Sequence, residues 1–193
     1  LSLHDALPIY PSDTDSMFGP IRILVMPIRS LIQPVVQGLG DVEPLVFTVG
    51  EDLPLDEAAK RLIENAYTRV DLVMDRGEFA VRGGILDVFP PTAPHPVRIE
   101  FFGDEIDTIK EFHASDQRTY GDGLKTIWAT ACRELQLTDA VRTRAKALVG
   151  SIPNAEDMLE SIANAIPVEG MESLMPALVD HLEPVGSMLP KHA

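Results

Sequence analysis

The spacing of apolar and polar positions changes along the chain, and those changes predict the elements. "IRILVMP" (Ile21–Pro27) is a short apolar run, rich in β-branched residues and closed by proline, and it reads as a buried strand. In the "IRSLIQPVVQGLG" that follows, apolar residues fall at Ile28, Leu31, Ile32, Val35, Val36 and Leu39. That spacing predicts a helix, which Pro34 kinks or restricts to two short turns. After a turn over Gly40–Pro44, "LVFTVG" reads as a strand ending at Gly50. The clearest helix is "PLDEAAKRLIENAY" (Pro54–Tyr67), where Leu55, Ala58, Ala59, Leu62 and Ile63 form one stripe. Asp56 and Glu57 lie in its first turn, where acids suit the helix dipole.

Beyond Tyr67 the period drops to two. "TRVDLVM", "FAVRGGILDVFP", "VRIEFFG" and "EIDTIKEFH" predict an antiparallel sheet of four strands over Val70–His113, with the Pro54 helix packed across one face. The remainder, from Tyr120, reads as mostly helical, with Thr138 as an N-cap and Gly150 as a stop. "AEDMLESIANAI" and "MESLMPALVDHL" continue the helical period between prolines. The fold class is α/β: a small, mostly antiparallel sheet with a packed helix.

Strand parity singles out three residues. In "VRIEFF", Val97, Ile99 and Phe101 share the core face, which leaves Arg98, Glu100 and Phe102 on the other. In "FAVRGGILDV", Phe79 and Val81 face the core and Arg82 faces outward. Past the glycines the core phase moves to Leu86 and Val88 with Asp87 outward, a shift that a bulge at Gly83 and Gly84 explains. If the two arginine-bearing strands are neighbours, Arg82, Arg98 and Phe102 lie on one surface. Arginine and aromatic residues are the types enriched at binding hot spots. The competing reading pairs Arg98 with Glu100 or Asp87 across the sheet, a contact contributing under about 1 kcal/mol.

Charge narrows the function classes. The 193 residues carry 30 acidic and 16 basic side chains, a net charge of −14, which argues against a chain whose own task is to coat nucleic acid. Cys132 is the only cysteine, so no intrachain disulfide forms and a reducing cytoplasm is the expected setting. No apolar run approaches the roughly 18 residues of a membrane span, and no signal peptide is recognisable. The opening "LSLHDALPI" resembles a translated sequencing adapter, so residues 1–16 are set aside as a non-native or disordered leader on a piece of a longer chain.

Catalytic motifs are wanting. "YGDGLKT" (Tyr120–Thr126) lacks the glycine directly before Lys125 that a phosphate-binding loop requires. His95, His113, His181 and His192 are isolated along the sequence, without zinc-site spacing. The acids of "DEID" (Asp104–Asp107) read as a hairpin turn and an exposed face.

The strings "RGEFAVRGGILDVFP" and "RIEFFGDEIDTI" closely resemble the bacterial transcription-repair coupling factor family (Mfd), in its N-terminal UvrB-homology region. Weaker likeness in "MPIRSLIQPV", "CRELQLTDAVRTRA" and "VEGMESLMPALVDHL" extends the resemblance over about Ile21–Leu189. Ala66 departs from the pattern, standing where a glycine usually precedes the tyrosine, and Ala131 stands where proline is common.

The resemblance implies residues 17–45 as the end of a first UvrB-like subdomain, 46–120 as a UvrA-interaction module like UvrB domain 2, and 121–193 as the helical start of a second subdomain. It also implies that Arg82, Arg98 and Phe102 contact UvrA, that this chain is non-catalytic, and that it needs no cofactor. ATP and magnesium, RNA polymerase and double-stranded DNA belong to the resembled full-length translocase. The alternative is a remnant of a UvrB-type ATPase or DNA-binding subunit, and a structural spacer without a partner is a third reading.

Overall fold

A computed structural model describes residues 25–188, so the leader, most of the expected Ile21–Pro27 strand and His192 lie outside the described residues. Val25–Pro27, the described part of that strand, is irregular. The chain divides into two compact units, Pro44–Met171 and a second one made of the residues before and after it.

In the second unit, α1 (Ile28–Leu31) is a single turn, and β1 (Pro34–Val36) begins at the proline that ends it. Pro34 does more than kink a helix. Its lack of an N–H and its fixed φ turn the chain into a strand.

The Pro44–Met171 unit opens with β2 (Leu45–Thr48) and α2 (Leu55–Glu64), as expected from their patterns. The helix stops in a Schellman arrangement, with Tyr67 N–H donating to the Leu62 carbonyl (3.0 Å) and Ala66 N–H to that of Ile63 (2.9 Å). Ala66 therefore takes the left-handed φ of 61°, and the departure from the family pattern falls where glycine is favoured.

The strands after it are β3 (Thr68–Arg69), β4 (Glu78–Arg82), β5 (Ile85–Val88), β6 (Val97–Phe102), β7 (Glu105–Phe112) and β8 (Thr119–Tyr120). They form one six-stranded sheet in that order, antiparallel except that β3 runs parallel to β4. The expected four-stranded antiparallel sheet is thus six-stranded and mixed. "TRVDLVM" pairs for two residues only. Glu78 then holds the chain as a loop, its carboxylate accepting from the N–H groups of Met74 and Asp75 at 2.8 Å each.

The double glycine is a hairpin turn and not a bulge. Arg82 lies opposite Ile85, with Gly83 alone of the two turn residues in the left-handed region at φ 60°. Residues flanking a two-residue turn face the same side, which moves the core phase from odd to even numbers as a bulge would. The register irregularity of the sheet lies between β6 and β7, at Glu100/Phe101, where Asp107 is the extra residue.

On one face Phe79, Leu86, Val88, Val97, Ile99 and Ile109 pack under Ala58 and Leu62 of α2, all buried, which places the helix across the sheet as expected. The other face is covered at one end only, where Val73, Ala80, Phe89 and Phe112 make a smaller cluster under the loop after β3.

β9 (Thr126–Ala129) pairs antiparallel with β2, a strand absent from the helical reading of the C-terminal part. Next come α3 (Asp139–Leu148) and α4 (Glu156–Ala163), which pack together. Thr138 caps α3 as expected, its hydroxyl accepting from Val141 N–H at 3.4 Å. Thr138→Ala is expected to cost about 1 kcal/mol, read as a lower urea midpoint. "MESLMPALVDHL" is not one helix but a 3-10 turn (Met171–Leu174) followed by α5 (Met175–Leu178), with Pro176 in the first turn of α5. β10 (Leu182–Pro184) returns to pair with β1 in the second unit. Among the described residues, no helix is long and apolar enough to cross a membrane.

Candidate docking face

The uncovered end of the second sheet face is built by two hairpin tips. One is the Gly83–Gly84 turn; the other is Gly103–Asp104, with Phe102 opposite Glu105. The Phe101 N–H donates to the Gly84 carbonyl at 2.8 Å, which ties the tips together. A side chain at Gly84 is poorly accommodated, since its Cβ would sit 3.1 Å from the Phe101 carbonyl oxygen. Leu53 N–H donates to the Asp104 carbonyl at 2.8 Å and braces the second tip from the chain before α2.

Across the sheet, Ala80, Asp87, Arg98 and Lys110 form one row of directly opposite residues, and Arg82, Ile85, Glu100 and Thr108 form the next row toward the tips. Arg82 and Arg98 are therefore not on neighbouring strands: β5 separates them. Asp87, on that middle strand, joins them. Expected to face outward, its carboxylate is instead wholly buried, at 0% exposure, because both guanidinium groups close over it.

Arg98 grips Asp87 with a fork, Nε to Oδ1 at 2.7 Å and Nη2 to Oδ2 at 2.9 Å. Its Nη1 donates to the Gln117 carbonyl at 3.3 Å, and its guanidinium lies 5.0 Å from the centre of the Phe112 ring. Only 18% of the Arg98 side chain is exposed. Its hydrogen bonds to Asp87 raise its pKa above the ordinary arginine value. Gln117 in turn donates from Nε2 to the carbonyls of Ala114 (2.7 Å) and Val73 (3.1 Å), locking this corner.

Arg82 binds Asp87 through Nη2 alone, reaching diagonally past the small Ala80. Its side chain is 46% exposed, and among the described residues no other group holds it. Phe102 shares this face and is 83% exposed. Two strand spacings and one two-residue step put its Cα about 12 Å from that of Arg82. The structure thus places all three expected residues on one side of the sheet in different states: Arg98 fixed, Arg82 tethered with donors to spare, Phe102 open.

The other chemistry weighed in the sequence resolves into structure. "YGDGLKT" leads into β9 and not into a helix, so no helix N-terminus faces a phosphate there. The histidines are not all isolated: the Pro91–Pro96 turn brings His95 beside His113 (6.4 Å between rings), and His113 stacks on Tyr120 at 4.3 Å. Among the described residues, no three of His, Cys, Asp and Glu are grouped to hold a metal. Burial pushes the Cys132 thiol up to about 12, against the lowering effects of Tyr67 and Arg133. Being the only cysteine, it reports cleanly: thiol reagents at pH 8 are expected to label it slowly in the folded, partly buried state and rapidly in urea.

A family model described as "UvrB interaction domain" matches residues 45–128, the segment that holds the sheet, α2 and both tips. A transcription-repair-coupling factor of Mycobacterium bovis is 49% identical over 174 residues, covering 85% of this chain. The chain belongs to the transcription-repair-coupling factor family. Relatives with the same name from Myxococcus xanthus and Bacillus subtilis are 36% and 37% identical over 81% and 69% of the chain. The chain spans 14% of the length of the Mycobacterium bovis and Myxococcus xanthus relatives and 11% of that of Bacillus subtilis. The Arg98–Asp87 pair is the competing reading of the sequence, extended by Arg82 on the second oxygen, and Gln117 is the residue that reading missed. An acid between two buried apolar neighbours, Leu86 and Val88, was the available signal for Asp87; Gln117 carries none.

Proposed function

We propose that this chain is a non-catalytic adaptor of transcription-coupled repair, which docks UvrA in the cytoplasm through the two hairpin tips and the arginine pair behind them. The observation that carries this reading is Phe102, an 83% exposed aromatic on a braced tip of the same sheet face that holds the tethered Arg82. An exposed ring on a braced backbone, with an arginine on the same face, has the composition of a binding hot spot. In this reading Phe102 enters an apolar pocket of UvrA, Arg82 donates charge-assisted hydrogen bonds to a UvrA carboxylate, and Arg98 supports the contact from its fixed position. RNA polymerase, double-stranded DNA and ATP with magnesium enter only as ligands of the longer relatives' full length.

Calorimetric titration of purified UvrA with the whole 193-residue chain tests the proposal. Saturable binding is expected, weakened about 10-fold or more by Arg82→Ala with the fold intact. A folded wild-type chain that leaves UvrA unbound would sink it.

A further inference from the structure

We propose that Asp87 is the positioning residue of this face: its buried carboxylate sets the direction of Arg82 and cancels one of the two arginine charges, so that the surface fits a single carboxylate of the partner. This rests on the docking reading above. Asp87 is not the exposed member of a surface pair, for its exposure is 0% and both of its oxygens accept from guanidinium groups.

Arg98 spends its Nε and Nη2 on that carboxylate and its Nη1 on the Gln117 carbonyl, which leaves it little to offer a ligand. Arg82 spends only Nη2. Asp87 therefore divides two similar residues into a structural cation and a recognising one. The triad of Arg82, Arg98 and Asp87 carries one net positive charge, with Lys110 next to Arg98 in the same row and Glu100 exposed in the row beside it. One fork of donors, with an exposed aromatic ring farther along the same face, suits a single carboxylate and an apolar side chain on one partner surface. It does not suit a run of phosphates, which requires several uncommitted cations.

Holding an arginine in place before the partner arrives lowers the ordering cost of binding. Without Asp87, Arg82 keeps its charge and loses its direction. Loss of positioning is distinguishable from loss of charge.

The test compares the whole chain with Asp87→Asn, Arg82→Lys, Arg82→Ala and the double variant Asp87→Asn/Arg82→Ala, first by nitrogen-15 NMR of the arginine side chains and then by UvrA titration. In the wild type the Arg82 guanidinium N–H groups are expected to rotate and exchange slowly, and in Asp87→Asn to become fast. UvrA affinity is expected to fall about 10-fold in Asp87→Asn, and the double variant to bind no more weakly than Arg82→Ala, because Asp87 acts through Arg82. Arg82→Lys, which keeps the charge but loses the planar fork, is expected to lose a similar factor.

Unchanged Arg82 dynamics in a folded Asp87→Asn, additive losses in the double variant, or wild-type affinity in Arg82→Lys would each overturn the proposal. Should Asp87→Asn fail to fold, the wild-type spectrum decides: a freely rotating, fast-exchanging Arg82 guanidinium there would overturn the proposal. A wild-type chain that does not bind UvrA refutes the docking reading, while the NMR comparison still settles whether Asp87 holds Arg82.

Discussion

Replacing Arg98 with alanine is expected to destabilise the Pro44–Met171 unit by about 3–5 kcal/mol, the cost of breaking a buried ion pair from one side. Asp87 is at 0% exposure in the intact face, and half-exposed Arg82 would be its one remaining cation. Losing Arg98 removes two of its three hydrogen bonds and uncovers an oxygen that nothing else reaches. The same change removes the cation beside the Phe112 ring and the donor to the Gln117 carbonyl, which loosens the turn after β7. Urea unfolding measures it: a large drop in midpoint with little change in slope. Arg82→Ala, at a half-exposed side chain with a single bond, is expected to cost far less. A loss below about 1 kcal/mol for Arg98→Ala would mean that the pair is screened like a surface bridge.

Phe102→Ala is expected to have the opposite profile. At 83% exposure the ring contributes almost nothing to folding, so the urea midpoint is expected to stay within about 0.5 kcal/mol of wild type. UvrA affinity is expected to fall about 30-fold or more, the range of an aromatic anchor near the centre of an interface. The tip is braced from three directions, by pairing to Glu105, by the Gly84 carbonyl and by Leu53. Truncating the side chain therefore removes the contact without rearranging its support. Arg98→Ala moves stability and Phe102→Ala moves affinity, which separates the scaffold from the surface.

Much of this was legible in the sequence where one face of an element is buried. The stripe of Leu55, Ala58, Ala59, Leu62 and Ile63 marked α2, and alternation along Val97–Phe102 assigned each residue to its face. The shared side of Arg82, Arg98 and Phe102 followed from the same alternation. Parity names a face but not what covers it, so Asp87 read as outward, its pairing with Arg98 only a competing reading, although two arginines seal it. A two-residue turn and a one-residue bulge shift the core phase alike, and the Gly83–Gly84 hairpin was hidden behind that ambiguity. β9 is short and owes its existence to β2 elsewhere in the chain, so no local window of sequence marks it, whereas alternation in "TRVDLVM" marked β3 but overstated its length.

The measurement that bears most directly on the docking face is amide hydrogen exchange of the whole chain, free and saturated with UvrA. Protection is expected at the two tips, Gly83–Gly84 and Gly103–Asp104, and at the backbone of Arg82 and Phe102, with α3 and α4 unchanged. Binding that protects α3 and α4, or another surface, while both tips exchange as in the free chain would contradict the account.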